Sequence, residues 1–285
     1  MKHLLSGMLL FCNISFLHAQ ELSAPVAVNN KQSNPEYFTV ASVASPAAPA
    51  KRLALQQRRM YYRLGERLIT INKQVTDESV PYIFLSLHNN ENGIAEAARQ
   101  SIYTQGGMLL ELLNDNQRNI DFTLFEKEVS VDPANIFTPK GRNQDLAINR
   151  KTDMVIAHQL SGFAQFIVDE IPYEKTIVSV HSNEAGEVSI NDYSRSGDRE
   201  RDAFMMHRNP AIDENDFFIT TNKEIFQALK DRNVNVVMQS VRSKDDGSLA
   251  VYCGRSKRSY IGIETRVGHS EEQQRMVQLI HEILQ

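Results

Sequence analysis

Three short runs of β-branched and aromatic residues limit what this chain can fold into: Pro81-Tyr-Ile-Phe-Leu-Ser-Leu-His88, Lys175-Thr-Ile-Val-Ser-Val-His181 and Ser259-Tyr-Ile-Gly-Ile-Glu-Thr-Arg266. Each is apolar with little alternation, the pattern of a strand covered on both faces. Helical periodicity lies between them. Gly93 to Leu113 reads as a helix that Gly106-Gly107 can break, and an amphipathic stretch capped by Thr152 runs to about Ile171, with Pro172 beyond it. Asn222 opens a helix to about Asp231, and Ser270 caps a C-terminal helix with Glu271, Glu272 and Gln273 in its first turn. Further strands are expected at 120–124, 216–220, 234–238 and 249–252, with Lys244–Ser248 as the turn between the last two. Strands separated by helices predict an α/β protein, a three-layer αβα sandwich around a mixed, largely parallel central sheet.

The ends of the sequence set its compartment and extent. Lys2 and His3 precede the apolar stretch Leu4–Leu17, and Leu17-His-Ala19 offers a small-residue cleavage site, so residues 1–19 read as a signal peptide. That stretch is interrupted by Asn13 and Ser15, and nothing later is apolar for long enough to span a membrane. Residues 20–51 are rich in Ala, Pro and Ser, the composition of a flexible linker, and 52–285 is left as one domain. The expectation is a periplasmic or secreted protein. Of the two cysteines, Cys12 would leave with the leader, so Cys253 has no partner within the chain. The net charge of −4 is small and the basic residues are scattered. The cluster from Lys51-Arg52 to Arg58-Arg59 reads as a solvated helix or linker, and no nucleic-acid partner is expected.

The chemistry collects where the strands end. His88 follows the first run and His181 the second, while Glu264 lies in the third; Glu91 is three residues past His88. In open α/β sheets, sites form beyond the carboxyl ends of the strands. Two imidazoles and a carboxylate are a donor set for one catalytic Zn²⁺ ion that keeps a fourth position for water. A second carboxylate can then accept that water's proton. Taken singly, His-x-x-Glu is common and weak.

The segments Leu87-His-Asn-Asn-Glu91, Val178-Ser-Val-His-Ser-Asn183 and Ile263-Glu-Thr-Arg-Val-Gly268 resemble the three signature pieces of the zinc carboxypeptidase (funnelin) superfamily. Their spacing is most similar to the succinylglutamate desuccinylase/aspartoacylase branch. The resemblance covers roughly residues 80–285. It implies the zinc carboxypeptidase fold, His88, Glu91 and His181 as metal ligands, and Glu264 as the catalytic carboxylate. One departure stands out. Where the family carries Asp-x-Asn-Arg-x-Phe to hold a substrate carboxylate, this chain reads Asp132-Pro-Ala-Asn-Ile-Phe137. Asn135 can donate a hydrogen bond but cannot supply arginine's bidentate clamp. Arg142 and Arg118 are the nearest replacements in sequence, and Tyr260 can donate to a developing oxyanion.

The expected function is an exported zinc-dependent hydrolase of amide bonds, acting on a peptide or an acyl-amino acid. The alternative is a catalytically impaired binding protein on the same scaffold, recognising a peptide or cell-wall fragment. The sequence lacks His-Glu-x-x-His, Gly-x-Ser-x-Gly, the phosphate-cradling Gly-x-x-x-x-Gly-Lys and the dinucleotide Gly-x-Gly-x-x-Gly, which removes the main support for other hydrolase and nucleotide-dependent classes.

Overall fold

The computed structural model describes residues 53–148, 153–184 and 186–285. The expected leader (1–19), linker (20–51) and Thr152 cap lie outside the described residues. Eleven strands and six α-helices occur among those described. Nine strands form one sheet in the order β1-β2-β4-β3-β7-β11-β9-β10-β8. These are β1 (Gln56–Leu64), β2 (Arg67–Val75), β3 (Tyr82–Ser86), β4 (Met108–Leu113), β7 (Thr176–Asn183), β8 (Ala203–His207), β9 (Phe217–Thr220), β10 (Val236–Gln239) and β11 (Tyr260–Arg266). The four strands β4, β3, β7 and β11 at its centre are mutually parallel. The outer pairings β1–β2, β2–β4, β11–β9 and β10–β8 are antiparallel. A separate hairpin pairs β5 (Ile120–Leu124) with β6 (Lys127–Val131).

Strand alternation divides the core into two halves, because successive side chains point to opposite faces. From β3, Tyr82 and Phe84 pack with Val178, Val180, Ile261 and Ile263 beneath α1 (Asn92–Gln105), α4 (Lys223–Asp231) and α6 (Ser270–Leu284). Ile83, Leu85 and Leu87 face the other way, with Ile177 and Tyr260, against α3 (Met154–Asp169) and α5 (Leu249–Ser256). The three-layer α/β architecture is therefore the one found, with a mixed sheet whose central strands are parallel. Tyr82, Phe84 and Phe163 are fully buried; each such side chain stabilises the fold by roughly 1.5–3 kcal/mol relative to exposure.

Local expectations and the structure differ in several places. Residues 249–252 form a helix, not a strand: Ser248 Oγ accepts the Val251 N–H as an N-cap, and a four-residue apolar run carries no period of its own. Arg58 and Arg59 belong to an edge strand, not a helix or linker. Their neighbours Met60 and Leu64 are buried while the charged residues stay in solvent, which protects an open sheet edge. Helix α1 stops at Gln105 and β4 begins at Met108, so the Gly106-Gly107 break separates two elements. Asp153 caps α3, and His269 precedes α6, which begins at Ser270.

One brace shapes the site. The segment after β6 meets the loop 240–248, where Gly247 sits at φ +89. Phe137 N–H donates to the Gly247 carbonyl (2.9 Å), and the buried Asp245 carboxylate accepts from Thr138 Oγ1 and pairs with Arg255. A Cβ on Gly247 would overlap the Asn135 carbonyl oxygen and crowd Gly141. Gly247→Ala therefore combines a left-handed backbone with a steric clash. We expect a loss of at least about 2 kcal/mol in urea unfolding, or roughly 4 °C or more in Tm. An unchanged unfolding curve would contradict this account of the brace.

Candidate metal centre and cavity

His88 leaves β3 one residue after the buried Leu87, and the turn His88–Glu91 delivers Glu91 to the first turn of α1. The positive end of that helix favours a carboxylate there. His181 comes from β7, between Val180 and Ser182. The three side chains converge: each offers one ligand atom, and these atoms lie within 4.8 Å of one another. His88 Nδ1 is 2.8 Å from Glu91 Oε1 and 3.3 Å from His181 Nδ1, and His181 Nδ1 is 3.6 Å from Glu91 Oε2. Both imidazoles therefore turn Nδ1 inward.

Outer contacts fix the rings. His88 Nε2 is 2.8 Å from Asp132 Oδ1, and that oxygen also accepts the Ala134 N–H. His181 Nε2 is 2.7 Å from Ser179 Oγ. Glu91 Oε2 accepts the Ser182 N–H (3.0 Å), and its Oε1 receives Arg118 Nη1 at 2.7 Å. The donor set, its burial and a partner for every ligand match what a tetrahedral N/O metal site needs.

The register of the central strands supplies the next group. In the parallel β7–β11 pair, Glu264 lies opposite His181, and Gly262 lies opposite Ser179. Directly paired residues share a sheet face, so Glu264 stands beside His181 without any loop intervening. Asn183 Nδ2 donates to Glu264 Oε2 at 2.6 Å.

These groups open into a cavity of about 230 Å³. His88, His181, Glu264, Arg118 and Asp132 line it, together with Tyr193, Arg199, Asp202, Lys244 and Asp246. Part of the wall is built from two loops that brace each other. The Lys244 and Ser240 N–H groups donate to Asp202, at 2.7 and 2.8 Å. Arg199 lies over the Tyr193 ring, its guanidinium carbon 6.0 Å from the centroid, with Asp246 at 4.0 Å.

The residues singled out in the sequence are thus placed unequally. His88, Glu91 and His181 come together, with Glu264 in the adjoining cavity; Arg118 and Asn135 line that cavity. Arg142 does not. It is buried, and its Nη1 donates to the Ile136 carbonyl, so it braces the chain after β6 and offers nothing to a substrate. Tyr260 lines the cavity wall but is buried. Arg266 pairs with Asp213 (3.1 Å) and His269 with Asp216 (2.8 Å). Sequence reasoning missed Ser179, Asn183, Arg199 and Lys244. Ser179 and Asn183 were within reach, since each is two positions from His181 and strand spacing puts them on its face.

No protein-family model matches the sequence, and no curated protein is significantly similar to it. Among solved structures, the chain is similar to an aspartoacylase family protein from Mesorhizobium loti, with a TM-score of 0.43 and 12% identity over 81% of this chain and 67% of that one. It is also similar to a chain from Shewanella denitrificans described as a "putative metallopeptidase", with a TM-score of 0.37 and 15% identity over 79% of this chain and 81% of that one. Identity at this level carries no residue role from one chain to another.

Burial and pairing set the protonation of these side chains. Burial works to lower the His88 pKa, but hydrogen bonds to Asp132 and Glu91 outweigh it and raise the pKa to about 9. Burial likewise pushes Glu91 up, yet its bonds to His181 and His88 hold it well below the usual carboxylate range. Because the folded pKa of His88 exceeds its unfolded value, its contribution is fully present below the ordinary histidine pKa and is lost as pH rises through about 9. Urea unfolding of chelator-treated protein should show stability falling from pH 6 to pH 10 by up to about 3 kcal/mol. A His88→Gln variant should lose that slope. A slope that persists in the variant would place the titrating group elsewhere.

Proposed function

We propose that this chain is an exported zinc-dependent hydrolase of amide bonds, with a peptide or an acyl-amino acid as substrate. The observation that carries the reading is the meeting of His88, Glu91 and His181, one ligand atom each within 4.8 Å, with Glu264 in register beside His181. His88 and His181 would hold the ion through Nδ1 and Glu91 through its carboxylate. When bound, zinc supplies Lewis-acid polarisation and a water acidified towards neutrality.

The chain's own residues do the rest. Glu264 has one oxygen held by Asn183, which leaves the other to accept a proton from water. The protonated carboxyl then passes that proton to the departing nitrogen as the amide bond breaks. Arg118 is about half exposed at the cavity edge, and its guanidinium offers donors to an oxyanion forming on the substrate carbonyl. Asp132 and Ser179 hold the imidazoles in place throughout.

The cavity wall bears on the substrate. A molecule in the cavity with Glu264 meets two cations, Arg199 and Lys244, and two carboxylates, Asp202 and Asp246. That mixture favours a charged leaving group such as an amino acid over an apolar one.

Glu264→Gln separates binding from chemistry. Zinc content should match the wild type, while turnover of a peptide and acyl-amino-acid panel falls by roughly 10²–10⁴-fold. Equal turnover in the two proteins would remove Glu264 from the mechanism.

A further inference from the structure

The loop 189–202 is tied to itself at every turn, and the side chain it presents to the cavity is Arg199. Ser189 opens it: its N–H donates to Asp192 Oδ2 (2.9 Å), and its carbonyl accepts the Asp192 N–H (3.1 Å). The Asp192 carbonyl in turn accepts the Arg199 N–H at 2.8 Å. That closure needs Gly197, because a Cβ there would overlap the carbonyl oxygens of Asn191 and Asp192. The short 3₁₀ turn Glu200–Asp202 follows, and Asp202 fastens it to the second loop through Ser240 N–H and Lys244 N–H. The Arg199 guanidinium rests over the ring of Tyr193, which is itself 7% exposed. Backbone and ring therefore hold this cation in place before a ligand arrives, which lowers the ordering cost of binding.

The charges that line the cavity are not equally engaged. Arg118 is committed, 2.7 Å from Glu91 and 3.6 Å from Asp132. Asp202 and Asp246 each give one carboxylate oxygen to a backbone N–H of the braced loops, from Lys244 (2.7 Å) and Ser248 (2.9 Å). Arg199 has one carboxylate at ion-pair distance among the described residues, Asp246 at 4.0 Å, too far for a hydrogen bond. No described residue gives the Lys244 ammonium a hydrogen bond or an ion pair. The donors left over in the cavity are thus cationic. A guanidinium offers them as a planar fork that matches a carboxylate, whereas an apolar group placed there would strip water from both cations and return nothing.

We propose that Arg199, held over Tyr193, determines specificity in this cavity by taking a carboxylate on the part of the substrate that leaves, with Lys244 as a second point of positive charge. The inference rests on the hydrolase reading and narrows it from a charged leaving group to an anionic one. Asp202 and Asp246 are then the braces of the two cation-bearing loops. A terminal carboxylate and an acidic side chain offer the same chemistry to the fork, and the test separates them.

Binding, read apart from turnover, tests this. Calorimetry on the purified protein compares three probes: N-acetylalanine, with a terminal carboxylate; N-acetylglutamic acid α-amide, with a side-chain carboxylate only; and N-acetylalaninamide, with neither. The wild type should hold one of the acids more tightly than the neutral amide, and which acid it prefers names the source of the carboxylate. Arg199→Gln should erase that preference, a change of roughly 10–100-fold, the range for a charge-assisted hydrogen bond. Arg199→Lys, which keeps the charge without the fork, should retain part of it, and Lys244→Gln should reduce it less. In hydrolysis of the matching peptides, the loss should fall on KM more than on kcat. A wild type that holds neither acid more tightly than the amide would overturn the proposal, as would an acid preference that survives in Arg199→Gln. Equal weakening of all three probes in Arg199→Gln would leave Arg199 a structural role only and would also overturn it. An acid preference lost in Arg199→Gln, in a protein that hydrolyses no amide, would remove the hydrolase reading and leave Arg199 as the anion-recognising residue.

Discussion

A carboxylate buried where three secondary-structure elements meet is the constraint around which this site is organised. Glu91 is about 5% exposed, and an isolated charge in such a place is far too costly to keep. It is compensated by the His88 ring, the Arg118 guanidinium, the Ser182 N–H and the N-terminus of α1. Arg118 and Ser182 come from distant parts of the chain, so the full compensation exists only in the folded state. Removing one partner leaves the charge uncovered, a loss on the order of 3–5 kcal/mol for a buried pair. The same electrostatics draw both imidazole Nδ1 atoms to one point.

The sheet converts that point into an active arrangement. Parallel pairing of β7 with β11 fixes the offset between His181 and Glu264 by backbone hydrogen bonds, so neither depends on a mobile loop for its place. Sites on strands are held more closely than sites on loops. The cavity walls, by contrast, are loops tied to one another: the segment after β6 through Gly247, and the 199–202 turn through Asp202. The rigid part holds the candidate chemistry, and the braced loops hold the groups that meet a substrate.

What the sequence revealed follows the same division. The central strands and the convergence of His88 with His181 were readable because both depend on local hydrophobic runs and on strand ends. The edge elements were not. Strand β1 is a largely polar run with Met60 and Leu64 turned inward, and its strand character comes from pairing with β2. Helix α5 was hidden because Ser248 decides the state of an otherwise ambiguous apolar run. Arg142 lies close to the missing clamp in sequence, but its guanidinium is spent on a backbone carbonyl. Arg199 and Lys244 reach the cavity through loops remote from every motif, which no local pattern announces.

The central claim is that two imidazoles and one carboxylate form a single metal cage, and zinc titration of chelator-stripped protein by calorimetry tests it most directly. The account predicts saturation at one equivalent, with proton release at neutral pH as the ion displaces the His88 Nδ1 proton, and binding weakened by orders of magnitude in His88→Ala and in His181→Ala. No saturable binding by the folded wild-type protein, or full affinity in both variants, would contradict it.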